Sequence, residues 1–276
     1  MAANERDVAR HYGRASLERA VLDGLKAMGR APEDATPEDL AAVDEFHIGG
    51  RAATEEFAAG LGLAPGTRLL DLGSGIGGAA RFFARRYGCL VSGIDLTPEY
   101  VALAKTLTKL VGPEGQVDFR VGSATDLPFG DSSFDVATML HVGMNVPDKA
   151  RLCTEAARVL RPGGTFAIYD VMRTGDGALG FPVPWAGAEA ISFLARPADY
   201  RRALAAAGFE VGAERSRRDM ALEFFRRMQA RMAESGPPPL GLHILMGEDA
   251  HAKVRNVVAG LESGVITPTE MVARRT

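Results

Sequence analysis

Apolar residues follow two rhythms along this chain, and the change between them falls near Thr67. Before it, Leu17, Val21, Leu22, Leu25 and Met28 recur at the spacing of one helix face, and Thr36-Pro37-Glu38-Asp39 reads as a helix start with proline in its first turn. No strand is predicted in residues 1–62. After Thr67, short apolar runs alternate with amphipathic stretches, the pattern of βα units around a parallel sheet.

The first run, 68–72, follows a Pro65-Gly66 turn and ends in a glycine cluster; Ala79, Phe82, Phe83 and Tyr87 then mark a helix face that Gly88 closes. A second run, 90–94, reaches Asp95, and Thr97-Pro98-Glu99 opens a helix with Tyr100, Leu103, Leu107 and Leu110 inward. Val117, Phe119 and Val121 alternate as a third strand, and a fourth is predicted over 134–140. A helix over 147–160 should stop at Arg161-Pro162-Gly163-Gly164, before a fifth strand over 165–170. Further on, the pattern predicts helices over 197–207 and 249–262, a strand over 209–214, and a helix with Leu222, Phe225, Met228 and Met232 inside. A last strand is expected over 269–273, placed after Pro268 because proline lacks the ladder donor. The division this gives is a helical cap or lid, 1–62, and an α/β domain, 63–276, with substrate-covering insertions at about 172–195 and 218–245.

Composition narrows the function. With 276 residues, 46% of them hydrophobic and 24% charged, the chain is an ordinary globular protein. Its net charge of −3 offers no basic footprint for a nucleic acid, and no apolar segment is long enough to span a membrane, so a cytoplasmic protein is expected. Cys89 and Cys153 have neither C-x-x-C spacing nor neighbouring histidines, and His11, His243 and His251 fit no ligand spacing, so no metal site is expected.

The chemistry concentrates in Asp71-Leu72-Gly73-Ser74-Gly75-Ile76-Gly77-Gly78. Glycines here let a strand turn sharply into a helix and let a ligand approach the backbone. Gly73, Gly75 and Gly78 also satisfy G-x-G-x-x-G, so an NAD(P) site competes with one for S-adenosylmethionine (SAM). Asp95, at the end of the next strand, suits a ribose in either case. Asp71, two residues before the first glycine, favours a ligand carrying an ammonium and a sulfonium over a pyrophosphate dianion.

Together with Gly122-Ser123-Ala124-Thr125-Asp126 and Leu160-Arg161-Pro162-Gly163-Gly164-Thr165, these residues resemble the class I SAM-dependent methyltransferases. The likeness is to the small-molecule branch that includes sarcosine/dimethylglycine N-methyltransferases and ubiquinone/menaquinone C-methyltransferases, and it is strongest over 65–171. The resemblance implies a Rossmann-like α/β fold, with a seven-stranded sheet of order 3-2-1-4-5-7-6, helices on both faces, and SAM as cofactor. Carried over by position, Asp71, Gly73, Ser74 and Gly75 would line the methionine end, Asp95 the ribose, Leu96 the adenine face, and Ala124 would offer its N–H to adenine. Ser123 stands where many relatives have aspartate. His141, after the fourth strand, is a candidate SAM contact or general base, and His47 a second catalytic or substrate candidate; Tyr12, Met144, Asn145 and Trp185 are further substrate candidates. The expected reaction is methyl transfer to a small-molecule amine, hydroxyl or activated carbon. An NAD(P)-dependent oxidoreductase and a non-catalytic SAM-binding protein are the alternatives, and the oligomeric state stays open, a homodimer being one option.

Overall fold

The computed structural model describes residues 3–13, 16–113 and 115–276. Four helices precede the first strand: α1 (Ala3–Tyr12), α2 (Leu17–Ala27), α3 (Pro37–Asp44) and α4 (Gly50–Ala59). Helix α3 starts as its sequence predicts: the Asp39 N–H donates to Thr36 Oγ1 and the Thr36 N–H donates to the Asp39 carboxylate, closing a capping box. Leu17, Val21 and Leu25 of α2 pack with Leu40 and Val43 of α3. Met28 was expected on that inner face but lies beyond the helix end, exposed.

The α/β part runs β1 (Arg68–Leu72), α5 (Gly78–Tyr87), β2 (Leu90–Asp95), α6 (Pro98–Val111), β3 (Val117–Val121), β4 (Phe134–Leu140), α7 (Lys149–Val159) and β5 (Leu160–Arg173). It continues through α8 (Pro197–Ala206), β6 (Phe209–Ser216), α9 (Arg218–Ser235), α10 (His243–Met246), α11 (Ala250–Glu262) and β7 (Ile266–Arg275). The strands form one seven-stranded sheet of order β3-β2-β1-β4-β5-β7-β6, with β7 antiparallel to both neighbours. Alternate residues of the central strands feed opposite cores. Leu70, Leu72, Ala137 and Met139 meet α7 and α8, while Leu69, Val136, Leu140 and Tyr169 meet α4 and α5. Chain order reverses between β1 and β4, so a crevice opens beyond their carboxyl ends, where open α/β sheets bind ligands.

Three local readings are corrected. The Arg161–Gly164 stop is a bulge inside β5: Leu160 pairs with Phe134 and Thr165 with Val136, with Gly163 at φ 72° and Arg161 Nε held by the Asp135 carboxylate at 2.7 Å. Strand β7 begins at Ile266, not after Pro268. The Pro268 carbonyl accepts from the Arg217 N–H just past the end of β6, and a residue's N–H and C=O share one side of a strand, so the proline's missing donor faces the side where the ladder has already ended. The short helix α10 carries too few residues to show a period and was not predicted.

Among the described residues no helix is long and apolar enough to cross a membrane, and no group of three His, Cys, Asp or Glu could hold a metal. Cys89 and Cys153 are buried free thiols whose pKa burial pushes up to about 11 and about 12.

Candidate active site

A cavity of about 300 Å³ lies over the carboxyl ends of β1, β2 and β4, roofed by α1 and by the loop between α3 and α4. One end is made by the turns that follow β1, β2 and β3. In the first, the Gly73 and Ser74 N–H groups donate to the Ile94 carbonyl at 2.8 and 3.0 Å, which folds the turn back on β2. The Gly75 N–H donates to Asp95 Oδ2 and the Thr97 N–H to Asp95 Oδ1, both at 2.9 Å, so the Asp95 carboxylate is fixed at the cavity wall. Burial holds its pKa above the usual range despite both donors. Gly75 has φ +55°, and open space lies where a Cβ would stand, so the backbone there is free for a ligand to approach.

Gly73, Leu96, Ser123 and Ala124 also line this end, as expected. Ser123 Oγ donates to Glu5 Oε1 at 2.5 Å, which ties α1 to the turn after β3. Sequence reasoning missed Glu5, because an acid on an amphipathic helix carries no mark of what it will face. Asp71 and Ser74 are placed differently from the other candidates: both stand behind the glycine turn, not in the cavity wall. Ser74 Oγ is buried without a partner. Asp71 Oδ1 accepts from the Thr138 hydroxyl at 3.0 Å, whereas its Oδ2 is buried and unpartnered. Burial, with the Glu45 and Asp95 charges adding, pushes its pKa up to about 7 against the Thr138 hydrogen bond.

This set of groups fits a cationic adenosyl compound. Asp71 lacks a counter-charge, the Asp95 carboxylate stands in the cavity wall, and among the described residues no lysine or arginine lines the cavity. It does not fit a dinucleotide. A pyrophosphate would need the first turn of α5, but that turn is covered by the end of α3: a Cβ on Gly78 would lie 2.2 Å from the Asp44 carbonyl oxygen. Asp44 is locked there by Arg81, whose Nη2 lies 2.5 Å from Asp44 Oδ1 while its Nη1 donates to the Ile76 carbonyl. The NAD(P) reading of the glycine turn is therefore set aside.

The other end brings together segments far apart in sequence. His141 lines the cavity with φ 55°, in the left-handed region. Burial, then the charge of His47, holds its pKa well below the usual histidine value, so the ring is neutral. Its Nε2 lies 3.5 Å from the Ile48 N–H, which donates to it, and its Nδ1 is buried without a hydrogen-bond partner. His47 also lines the cavity, but its Nε2 is engaged in the scaffold, 2.9 Å from Glu45 Oε2 and 3.0 Å from Thr54 Oγ1. Arg51 Nε, 2.7 Å from Glu45 Oε1, anchors that carboxylate in turn. Burial alone would raise Glu45, but the His47 hydrogen bond, the His47 and Arg51 charges and the Thr54 hydroxyl together hold its pKa below the usual value.

The structure brings Tyr12, Asn145 and Trp185 into one chain of hydrogen bonds. Tyr12 OH donates to Asn145 Oδ1 at 2.9 Å, Asn145 Nδ2 to the Trp185 carbonyl at 2.8 Å, and Trp185 Nε1 to Ser192 Oγ at 2.9 Å. Met144 lies beside them in the wall. Helices α9 and α11 complete it with Phe224, Phe225, Met228, Val254 and Val257. The sequence placed the Phe225 and Met228 stripe in the core; part of that stripe instead faces the cavity.

A doubly wound sheet of this order, with a glycine turn at its switch point and an acid at the tip of β2, defines a class I, Rossmann-like methyltransferase fold. Residues 70–168 match the model of a methyltransferase domain. The 2-methyl-6-phytyl-1,4-hydroquinone methyltransferase of Synechocystis sp. is 43% identical over 108 residues, which are 39% of this chain and 33% of that protein. The glycine/sarcosine/dimethylglycine N-methyltransferase of Actinopolyspora halophila is 31% identical over 173 residues, 63% of this chain and 30% of that one. The chain thus spans about a third of the length of these curated relatives. Among solved structures, geranyl diphosphate C-methyltransferase from Streptomyces coelicolor, in complex with Mg2+, geranyl-S-thiolodiphosphate and S-adenosyl-L-homocysteine, has a TM-score of 0.73 at 19% identity, covering 100% of this chain and 99% of that one. That likeness is one of fold.

Proposed function

We propose that this protein transfers the methyl group of SAM to a small-molecule acceptor. The observation that carries the reading is the glycine turn itself, open at Gly75, flanked by the fixed Asp95 carboxylate and backed by Asp71 with an unpartnered oxygen. Asp95 would accept the ribose hydroxyls, Leu96 would cover the adenine face, and Ser123 and the Ala124 N–H would meet the adenine edge. Gly73 and Gly75 would hold the methionine end, with Asp71 balancing its charge through the turn and Ser74 shaping the turn from behind. When bound, SAM supplies a methyl group already activated on a sulfonium. The protein's part is then to position the acceptor about 3 to 3.5 Å from that carbon and in line with the breaking bond, to exclude water and to receive a proton. The neutral His141 imidazole, with its Nε2 lone pair engaged only by one long N–H contact, would take that proton. His47 would orient the wall through Glu45, and the helices of residues 1–62 would serve as the lid.

This is a reading of an enzyme of the cytoplasm, where buried reduced thiols such as Cys89 and Cys153 persist, acting on small molecules and not on nucleic acid. Incubating the protein and a cell extract with methyl-labelled SAM should give a labelled small molecule by mass spectrometry. Asp95→Ala should lower SAM affinity roughly 10- to 100-fold by calorimetry, the loss of a charge-assisted hydrogen-bond pair. Tight SAM binding without label transfer to any compound would favour a non-catalytic binding protein instead.

A further inference from the structure

The walls of the acceptor end contain a uniform chemistry. Ile48, Met144, Trp185, Phe225 and Val257 belong to one packed apolar cluster, against which Phe224, Met228 and Val254 lie partly buried. All eight line the cavity. Several polar groups among them already have partners: Trp185 donates to Ser192, Asn145 bridges Tyr12 and Trp185, and the His11 ring meets the Pro184 carbonyl at 3.0 Å. Among the described residues no lysine or arginine lines the cavity at either end, and the acids that do, Glu5, Asp95 and Asp148, repel an anion.

We propose that the acceptor is a predominantly apolar molecule without an anionic group, selected by contact with the Phe224, Phe225, Met228 and Trp185 walls. The inference rests on the methyltransferase reading and narrows it. A carboxylate or phosphate in this chamber would be stripped of water with no cationic side chain among the described residues to pair with it, and an unpaired buried charge is among the costliest arrangements a binding site can make. Where a site is made to take an anion, a guanidinium or ammonium or a cluster of N–H donors faces it. Here the side chains that face the acceptor offer aromatic rings, thioethers and branched aliphatic groups, which reward apolar area removed from water. The neutral His141 ring is consistent with that choice, since it adds a proton acceptor to the wall without adding a cation.

Trp185 is the sole tryptophan of the chain, buried in this wall, so its fluorescence reports occupancy of the acceptor end alone. The test uses protein saturated with S-adenosylhomocysteine, whose own binding is first measured by calorimetry. Octan-1-ol, octanoate and octyl phosphate, which share one chain and differ in the head group, are then titrated against Trp185 emission. The expected result is saturable binding of octan-1-ol, tighter than that of either anion by about 100-fold. Met228→Lys, at a half-buried wall position from which an ammonium can reach both chamber and solvent, should tighten octanoate binding at least about tenfold and leave S-adenosylhomocysteine affinity unchanged. If S-adenosylhomocysteine does not bind, the methyltransferase reading falls, and this inference with it. If it binds but octanoate or octyl phosphate equals or outdoes the alcohol, or the alcohol gives no saturable change, the apolar-acceptor proposal alone is overturned.

Discussion

The two ends of the cavity are built on opposite principles. At the glycine end the hydrogen bonds that fold the turn and fix Asp95 all come from residues 73–97, and its shape is set by backbone N–H groups, positive φ angles and two carboxylates. At the acceptor end the wall is drawn from α1, the loop between α3 and α4, the segment that follows β4, the loop between β5 and α8, and helices α9 to α11, and its shape is set by side-chain packing. The first end needs only that three strands lie side by side. The second exists only when the N-terminal helices and the C-terminal third of the chain close over the sheet, and their closure depends on joints such as Arg81–Asp44.

That joint gives the largest expected effect. Arg81 and Asp44 are both buried, and burial outweighs the Arg81 charge enough to hold the Asp44 pKa above its usual value. Arg81→Met would leave Asp44 buried without its partner, which should lower unfolding stability in urea by about 3 to 5 kcal/mol. Replacing both, Arg81→Met with Asp44→Leu, should recover most of the loss, because the desolvation of both ions disappears together. A single variant as stable as the parent would show that α3 is held to α5 by packing alone, and the acceptor end would then owe nothing to this joint.

Legibility followed the same division. The places of the seven strands along the chain, the glycine turn, Asp95 and the helix start at Thr36 were readable because each is a local pattern with a local cause, a period, a turn residue or a cap, whereas the order of the strands in the sheet came only from the family resemblance. Twelve of the site candidates lie in the cavity wall. Asp71 and Ser74 lie behind it, because spacing along a strand tells which face a side chain takes but not whether a neighbouring turn covers it. Glu5, Glu45 and Thr54 escaped notice for a related reason: Glu5 meets Ser123 across 118 positions, and the Glu45–Thr54 bond depends on how a loop of ordinary composition folds. The bulge in β5 was misread as an end because Pro-Gly-Gly marks a departure from regular backbone without saying whether pairing resumes.

Acidity sharpens the glycine end in particular. With its pKa raised to about 7, Asp71 keeps a proton in the folded protein that the unfolded chain gives up near its ordinary value of 3.8. Its contribution to stability therefore falls as pH rises through that window and is least above about 7. A cation bound at the turn favours the ionised form, so S-adenosylmethionine affinity should climb by up to about tenfold per pH unit below 7 and level off above it. Calorimetry in steps from acid to neutral pH checks this, with Asp71→Asn as the control that should lose the slope. A slope unchanged in that variant would move the titration to another group at this end.

The smallest effect should come from a single hydrogen bond between the lid and the acceptor wall. Tyr12→Phe removes the donor to Asn145 Oδ1 while keeping the ring that packs beside Phe46 and Tyr100. Asn145 is buried and still donates to the Trp185 carbonyl, so the wall should loosen without collapsing. The loss should be about 1 kcal/mol, the net worth of one hydrogen bond, seen as a roughly fivefold higher KM for the acceptor. Cofactor affinity should stay level, because Tyr12 makes none of the contacts that fix Asp95 or the glycine turn. An equal fall in affinity at both ends would mean that the lid closes as a single unit over the whole cavity, and the division between a backbone-built and a packing-built end would then describe how the site is made but not how it binds.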